Sequence, residues 1–168
     1  GTRKIINKLF DQMLLLKDKE QMLKIGDLFS IISNEHLNWD YPQKAYIYYN
    51  KLIDLYPHDK VIRYKIAEFC NDYGYNLMMM RDFIHANKII NTGIKANPKL
   101  NALYSNLPLS LLLNNQYKKA EDLYLKFVDL PYGNTTYRNI FLSDLKQFKK
   151  AGYTNPNMDK IQKLLEKQ

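Results

Sequence analysis

Between Asn101 and Pro131 the chain reads NALYSNLPLSLLLNNQYKKAEDLYLKFVDLP, two amphipathic segments joined at Asn114-Asn115-Gln116. Apolar residues recur three and four positions apart on both sides of that polar hinge, which predicts two helices folded into a hairpin. A lone hairpin of this kind has an apolar face and nothing to cover it. The stretch therefore commits the chain to a stack of helical pairs, each covering its neighbour.

The rest of the sequence repeats the theme. Ile5, Ile6, Leu9, Phe10, Met13, Leu14 and Leu16 predict a first helix from Thr2 to about Lys17. After the polar break Lys17-Asp18-Lys19, the stripe Met22, Ile25, Leu28, Phe29 and Ile32 carries a second helix to about His36. Pro42 suits a helix start, and Ala45, Tyr48, Tyr49, Leu52, Ile53 and Leu55 follow at helical spacing before Pro57. A long helix over Ile62, Ile66, Phe69, Cys70, Tyr73 and Leu77 is expected next, then a shorter one from Phe83 to Ala96. Past Pro131, a turn at Tyr132-Gly133-Asn134 leads to a helix that Ala151-Gly152 closes, and a last helix spans Asn157 to Lys167. Nine helices and no convincing strand make the class all-α. Gly26 and Gly74 fall inside helical patterns, where glycine costs stability unless another helix approaches closely; close packing is the expected reason.

Three of the shorter helices share one pattern: alanine, an apolar or aromatic residue four later, another apolar or small residue three beyond that, and a proline at the end. The sets are Ala45, Tyr49, Leu52, Pro57; Ala86, Ile90, Gly93, Pro98; and Ala120, Tyr124, Phe127, Pro131. Ala86 and Ala120 lie 34 residues apart. This resembles the tetratricopeptide repeat, a helix–turn–helix unit of about 34 residues. Asn115, Tyr117, Ala120, Tyr124 and Pro131 stand close to that family's Gly, Tyr, Ala, Tyr and Pro, and Gly74 stands at its small residue. The resemblance covers roughly Leu23 to Leu145. It implies a right-handed α-solenoid with a capping helix at 1–18, repeats at 19–57, 58–98 and 99–131, and a partial repeat with a C-terminal cap at 132–168. The sequence departs from the family at Pro108, which replaces a small residue and removes a helical hydrogen bond. A bend there is expected to open the concave face near Ser105 and Asn106. The segment from Leu112 to Leu165, with Phe141-Leu142-Ser143-Asp144-Leu145 and Ala151-Gly152-Tyr153-Thr154-Asn155-Pro156, is also similar to the C-terminal tails of some bacterial tetratricopeptide proteins, in which such a tail follows another domain.

Composition narrows the function classes. The chain has 168 residues, 46% of them hydrophobic, enough for a substantial core. No apolar run approaches the roughly 20 residues of a membrane span, so a soluble protein is expected. The first residue is Gly1, which reads as an excised or processed chain and leaves the compartment open. The net charge of +8 is concentrated after Pro98, where 11 basic residues face 6 acidic ones. Most of the cations are lysines among acids at helical spacing, the pattern of solvated helix faces rather than of an arginine-rich phosphate reader.

Sites of chemistry are sparse. His36, His58 and His85 stand apart, with no pair spaced to share a metal on one helical face. The six glycines form no phosphate loop. Cys70, the only cysteine, lies in an apolar stripe and reads as a buried, inert thiol. No catalytic residue, metal or cofactor is expected. Met78-Met79-Met80 spans most of a helix's circumference, so core packing with an outward methionine is the simple reading.

The resemblance supplies the sharper suggestion. In tetratricopeptide stacks the first helix of each pair lines the concave side, which makes Asn34, Asn38, Asn71, Tyr75, Ser105, Asn106 and Arg138 the candidates for holding a peptide. Amides and an arginine suit a peptide backbone or a carboxylate; solvated asparagines are the plainer alternative. The lysine clamp that some family members use for a C-terminal carboxylate is missing, since Asp27, Glu68 and Ala102 stand at its positions. The expected function is a noncatalytic scaffold that binds a protein or peptide, or docks on another domain of its parent chain. The rivals are a helical repeat binding nucleic acid through its basic last third, and an enzyme or carrier with a pocket between helices.

Overall fold

The computed structural model describes residues 1–35 and 41–167. Among them are nine helices: α1 Thr2–Met13, α2 Lys19–Glu35, α3 Tyr41–Leu55, α4 Lys60–Met79, α5 Phe83–Ala96, α6 Asn101–Leu113, α7 Tyr117–Phe127, α8 Tyr137–Lys150 and α9 Asn157–Glu166. The fold is all-α apart from a two-stranded ribbon, β1 Pro131–Tyr132 and β2 Thr135–Thr136. That ribbon corrects the expectation of a plain turn. Gly133 has a φ of 58°, so the two-residue turn Gly133-Asn134 closes antiparallel pairs Pro131↔Thr136 and Tyr132↔Thr135.

Short polar side chains set the helix starts. Asp18 accepts from the Gln21 amide at 2.9 Å before α2, Asp59 from that of Ile62 at 3.0 Å before α4, and Thr136 from that of Asn139 at 3.3 Å before α8. Three helix ends close with a residue in the left-handed region, which lets the next amides turn back onto the last carbonyls. Gly152 does this at φ 95°, with Tyr153 N donating to the Phe148 carbonyl at 3.1 Å. Asn115 does it at φ 60°, with Gln116 N donating to the Leu111 carbonyl at 2.9 Å, and Arg81 at φ 65°, with Asp82 N donating to that of Leu77 at 2.9 Å. The first helix ends at Met13 rather than Lys17, because Leu15 and Leu16 donate three residues back and tighten the last turn.

The chain forms two compact units, Gly1–Cys70 and Asn71–Gln168. In the first, the rings of Phe10, Phe29 and Tyr48 meet with centroids 5.3 to 6.3 Å apart, and the Tyr48 hydroxyl donates to the Met13 carbonyl at 3.1 Å. Gly26 lets α2 approach α3, since a Cβ there would stand 2.9 Å from Cε1 of Tyr49. Tyr49 lies against Phe69 at 5.3 Å and donates to Asp27, which also pairs with Lys65 at 2.9 Å. Burial pushes the Cys70 thiol up to about 12, so it stays protonated and unreactive at neutral pH.

In the second unit, Ile89, Ile90, Leu103, Leu109, Leu112, Leu145 and Ile161 are wholly buried, and Tyr124, Phe141 and Phe148 supply the large rings. Tyr124 meets Phe141 edge-on at 4.8 Å. The Tyr153 hydroxyl donates to the Met78 carbonyl at 2.6 Å while its ring lies 4.9 Å from Phe148, which ties the α8–α9 connection to the end of α4. Met78 is buried and Met79 and Met80 face outward. The repeated alanines Ala45, Ala86 and Ala120 are fully buried in their respective units. The face expected to open at Pro108 stays closed. Helix α6 continues through the proline, and Ser105 and Asn106 are each only 6% exposed, because α6 is flanked by α5, α7 and α8.

Candidate functional site

The second unit brings together residues from α4, α6, α8 and β1. Asn71 and Tyr75 are one turn apart on α4, and Ser105 and Asn106 occupy the middle of α6. Asn106 Nδ2 donates to Asn71 Oδ1 at 2.7 Å, which joins the two helices. Tyr75 meets Phe148 of α8 edge-on at 5.5 Å. Four of the sequence-derived candidates therefore share one place. Asn71 and Tyr75 remain half-exposed there, and each amide keeps capacity beyond the pair: the Asn71 NH₂ group can still donate and the Asn106 carbonyl can still accept.

The remaining candidates stand elsewhere. Arg138, at the start of α8, donates to the Leu165 carbonyl, to that of Lys167 at 3.2 Å and to Asp129 at 2.8 Å. It stabilises the C-terminal end of α9, where carbonyls without helical partners favour a cation. Asn38 lies outside the described residues, as does the side chain of Asn34.

The group that sequence reasoning overlooked is Asp144. It follows Phe141 by three residues and precedes Phe148 by four, so it shares the helical face of two buried rings. Helix α8 thus turns a carboxylate inward. The charge bears on three phenols: Tyr75 from α4, Tyr124 from α7 and Tyr132 from β1. Burial, and after it the Asp144 charge, raises all three; at Tyr132 the Ser105 hydroxyl opposes that rise by hydrogen bonding. Tyr132 is positioned by Tyr137, whose ring it meets edge-on at 5.1 Å. Among the described residues no donor or cation partners the Asp144 carboxylate, and desolvation alone pushes it up to about 6. Its oxygens still reach solvent. The signal was a single acid in an otherwise apolar stripe, Phe141, Leu145, Phe148.

An inward carboxylate, two half-exposed phenols and a pair of amides are thus contributed by α4, α6, α8 and β1 of the second unit. They can accept a cation and bond a peptide backbone. Among the described residues there is no group of three or more His, Cys, Asp or Glu placed to hold a metal ion. No helix among them is long and apolar enough to cross a membrane.

No known family matches. Comparison of the chain with protein-family models, with curated proteins and with solved structures returned no significant match. The site must therefore be read from its own chemistry.

Proposed function

We propose that the chain is a noncatalytic, tetratricopeptide-like helical-repeat module that holds a protein or peptide on the α4–α6–α8 face of its second unit. The observation that carries the reading is the meeting of Asn71, Tyr75, Asn106 and Asp144 from three separate helices, with hydrogen-bonding capacity left over. The repeat itself rests on the buried alanines and on Gly26 and Gly74, which stand where close helix approach requires small residues. Stacking of the hairpins into a right-handed solenoid belongs to the same proposal.

A peptide ligand is favoured over nucleic acid because the face itself carries the Asp144 carboxylate, which repels phosphate, and three of the eleven basic residues after Pro98 are already paired. Lys118 pairs with Asp122 at 3.1 Å, Arg138 with Asp129 at 2.8 Å, and Lys149 with Asp159. The test is selection of a random peptide display library on the whole chain. Peptides are expected to be recovered that lose affinity by about tenfold or more on Tyr75→Ala, the loss of a central aromatic contact being worth at least ~1.4 kcal/mol. Recovery of no peptide, or of peptides indifferent to changes at Asn71, Tyr75 and Tyr132, would overturn the proposal. So would tight, salt-sensitive binding of RNA in its place.

A further inference from the structure

Resting on the peptide-binding reading above, the geometry points to a basic side chain as the anchor of the ligand: a lysine or arginine of the bound peptide, seated on Asp144 with Tyr75 and Tyr132 beside it. The first ground is charge. The Asp144 carboxylate lies on the same helical face as the buried rings of Phe141 and Phe148, and among the described residues nothing positive answers it. Elsewhere in the second unit several acids meet cations: Asp129 meets Arg138, Asp122 meets Lys118, and Asp159 meets Lys149. A partly desolvated carboxylate without a partner is unfavourable, and an incoming cation relieves that cost only when it binds.

The second ground is the rim. Tyr75 and Tyr132 are half-exposed, and aromatic neighbours, Phe148 at 5.5 Å and Tyr137 at 5.1 Å, hold their rings. Ring faces and phenol oxygens attract an ammonium or guanidinium, and the long alkyl stem of lysine or arginine packs on such rings while its head reaches the charge. The third ground is the amide pair that joins α4, which carries Tyr75, to α6, which packs on the α8 of Asp144. Asn71 is half-exposed and fixed by the bond it accepts from buried Asn106 at 2.7 Å, and its NH₂ group is left for the peptide backbone next to the anchor. The site also rejects: a peptide that brings a carboxylate to the same place meets like charge in a poorly solvated setting. Basic peptides are selected and acidic ones excluded.

The groups facing Asp144 from the surrounding elements are the phenols of Tyr75, Tyr124 and Tyr132, all uncharged at neutral pH. Among the described residues no neighbour supplies a competing cation as the pH changes.

The test uses the peptides recovered by display on the whole chain. In each, arginine is exchanged for citrulline or lysine for N-acetyl-lysine, which keeps shape and removes charge. Binding of every pair is measured on the wild-type chain and on Asp144→Asn, whose folding is checked by its helical circular dichroism and melting curve. The exchange is expected to weaken binding to wild type at least tenfold and to make no further difference on Asp144→Asn. Peptides that are sensitive to Tyr75→Ala but carry no recurring basic residue would overturn the anchor and leave the peptide-binding face standing. An exchange that costs the same on both proteins would overturn it too. Recovery of no peptide at all would overturn both.

Discussion

Gly74→Ala should destabilise the second unit by roughly 1–3 kcal/mol, although alanine is the better helix former by ~1 kcal/mol. The added methyl would sit 2.6 Å from Cγ1 of Ile90, and 3.2 Å from its Cδ1. Ile90 is fully buried, so its side chain has no free space into which to swing, and α4 and α5 must separate instead. Steric cost therefore outweighs propensity. For a unit of this size each kcal/mol lowers the melting temperature by about 4–8 °C. Trimming the partner should restore much of the loss: in Gly74→Ala with Ile90→Ala the two changes couple by ~1 kcal/mol or more in the favourable direction. A melting curve in which Gly74→Ala raises the transition, as at an ordinary exposed helix glycine, would show that the close approach of α4 and α5 is not what the glycine is for.

The second large effect is at Asp144 and concerns pH. Its carboxyl is raised from 3.8 to about 6 by desolvation, so the folded state favours the neutral acid. The group thus favours folding below about 4, and that contribution is lost as the pH climbs through about 6. Asp144→Asn removes the penalty at neutral pH. The variant should be more stable than wild type by on the order of 2 kcal/mol at pH 7.5 and about equal to it near pH 3.5, once partial solvation of the carboxyl is allowed for. Carboxylates held down by their partners work in the opposite sense: Asp59 is lowered by Lys19, Glu121 by Tyr117, and Asp159 by Lys149. They act alike in both proteins and cancel from the difference. Denaturant unfolding across the pH range supplies the comparison. An Asp144→Asn chain less stable than wild type at pH 7.5 would mean that the carboxylate accepts bonds the fold depends on.

What the sequence disclosed follows from which interactions are local. The spacing of alanine, aromatic and small residue identified the buried stripe of each short helix, because a helix face repeats every few residues whatever lies opposite it. Gly26 and Gly74 announced close approach before either partner was known, and the partners are Tyr49 and Ile90. Asn115 and Gly152 announced helix ends, since both tolerate the left-handed region. Arg81 did not, because nothing in an arginine marks it for that conformation. The ribbon at Pro131–Thr136 is too short to leave an alternating pattern.

The site was harder to read because it depends on residues far apart in sequence. Asn71, Tyr75, Ser105 and Asn106 were found on one face, yet Ser105 and Asn106 lie inside it, since the neighbouring helices cover the middle of α6. Arg138, named as a peptide-contact candidate, donates to the end of α9, a contact made 27 residues along the chain that no local pattern announces. Asp144 was noted only as part of the segment Phe141-Leu142-Ser143-Asp144-Leu145. Only when α8 is placed against α4 and α6 does it become a carboxylate turned inward among phenols.

A titration of the Asp144 carboxyl carbon by ¹³C NMR, on the free chain and on the chain saturated with a peptide recovered by display, bears most directly on the claim that this face is built to receive a cation. The free protein should titrate at about 6, and the bound peptide should lower that midpoint by a full unit or more, since a cation beside a carboxylate favours its charged form. A free value near that of an ordinary aspartate, or a midpoint that the peptide leaves unmoved, would contradict it.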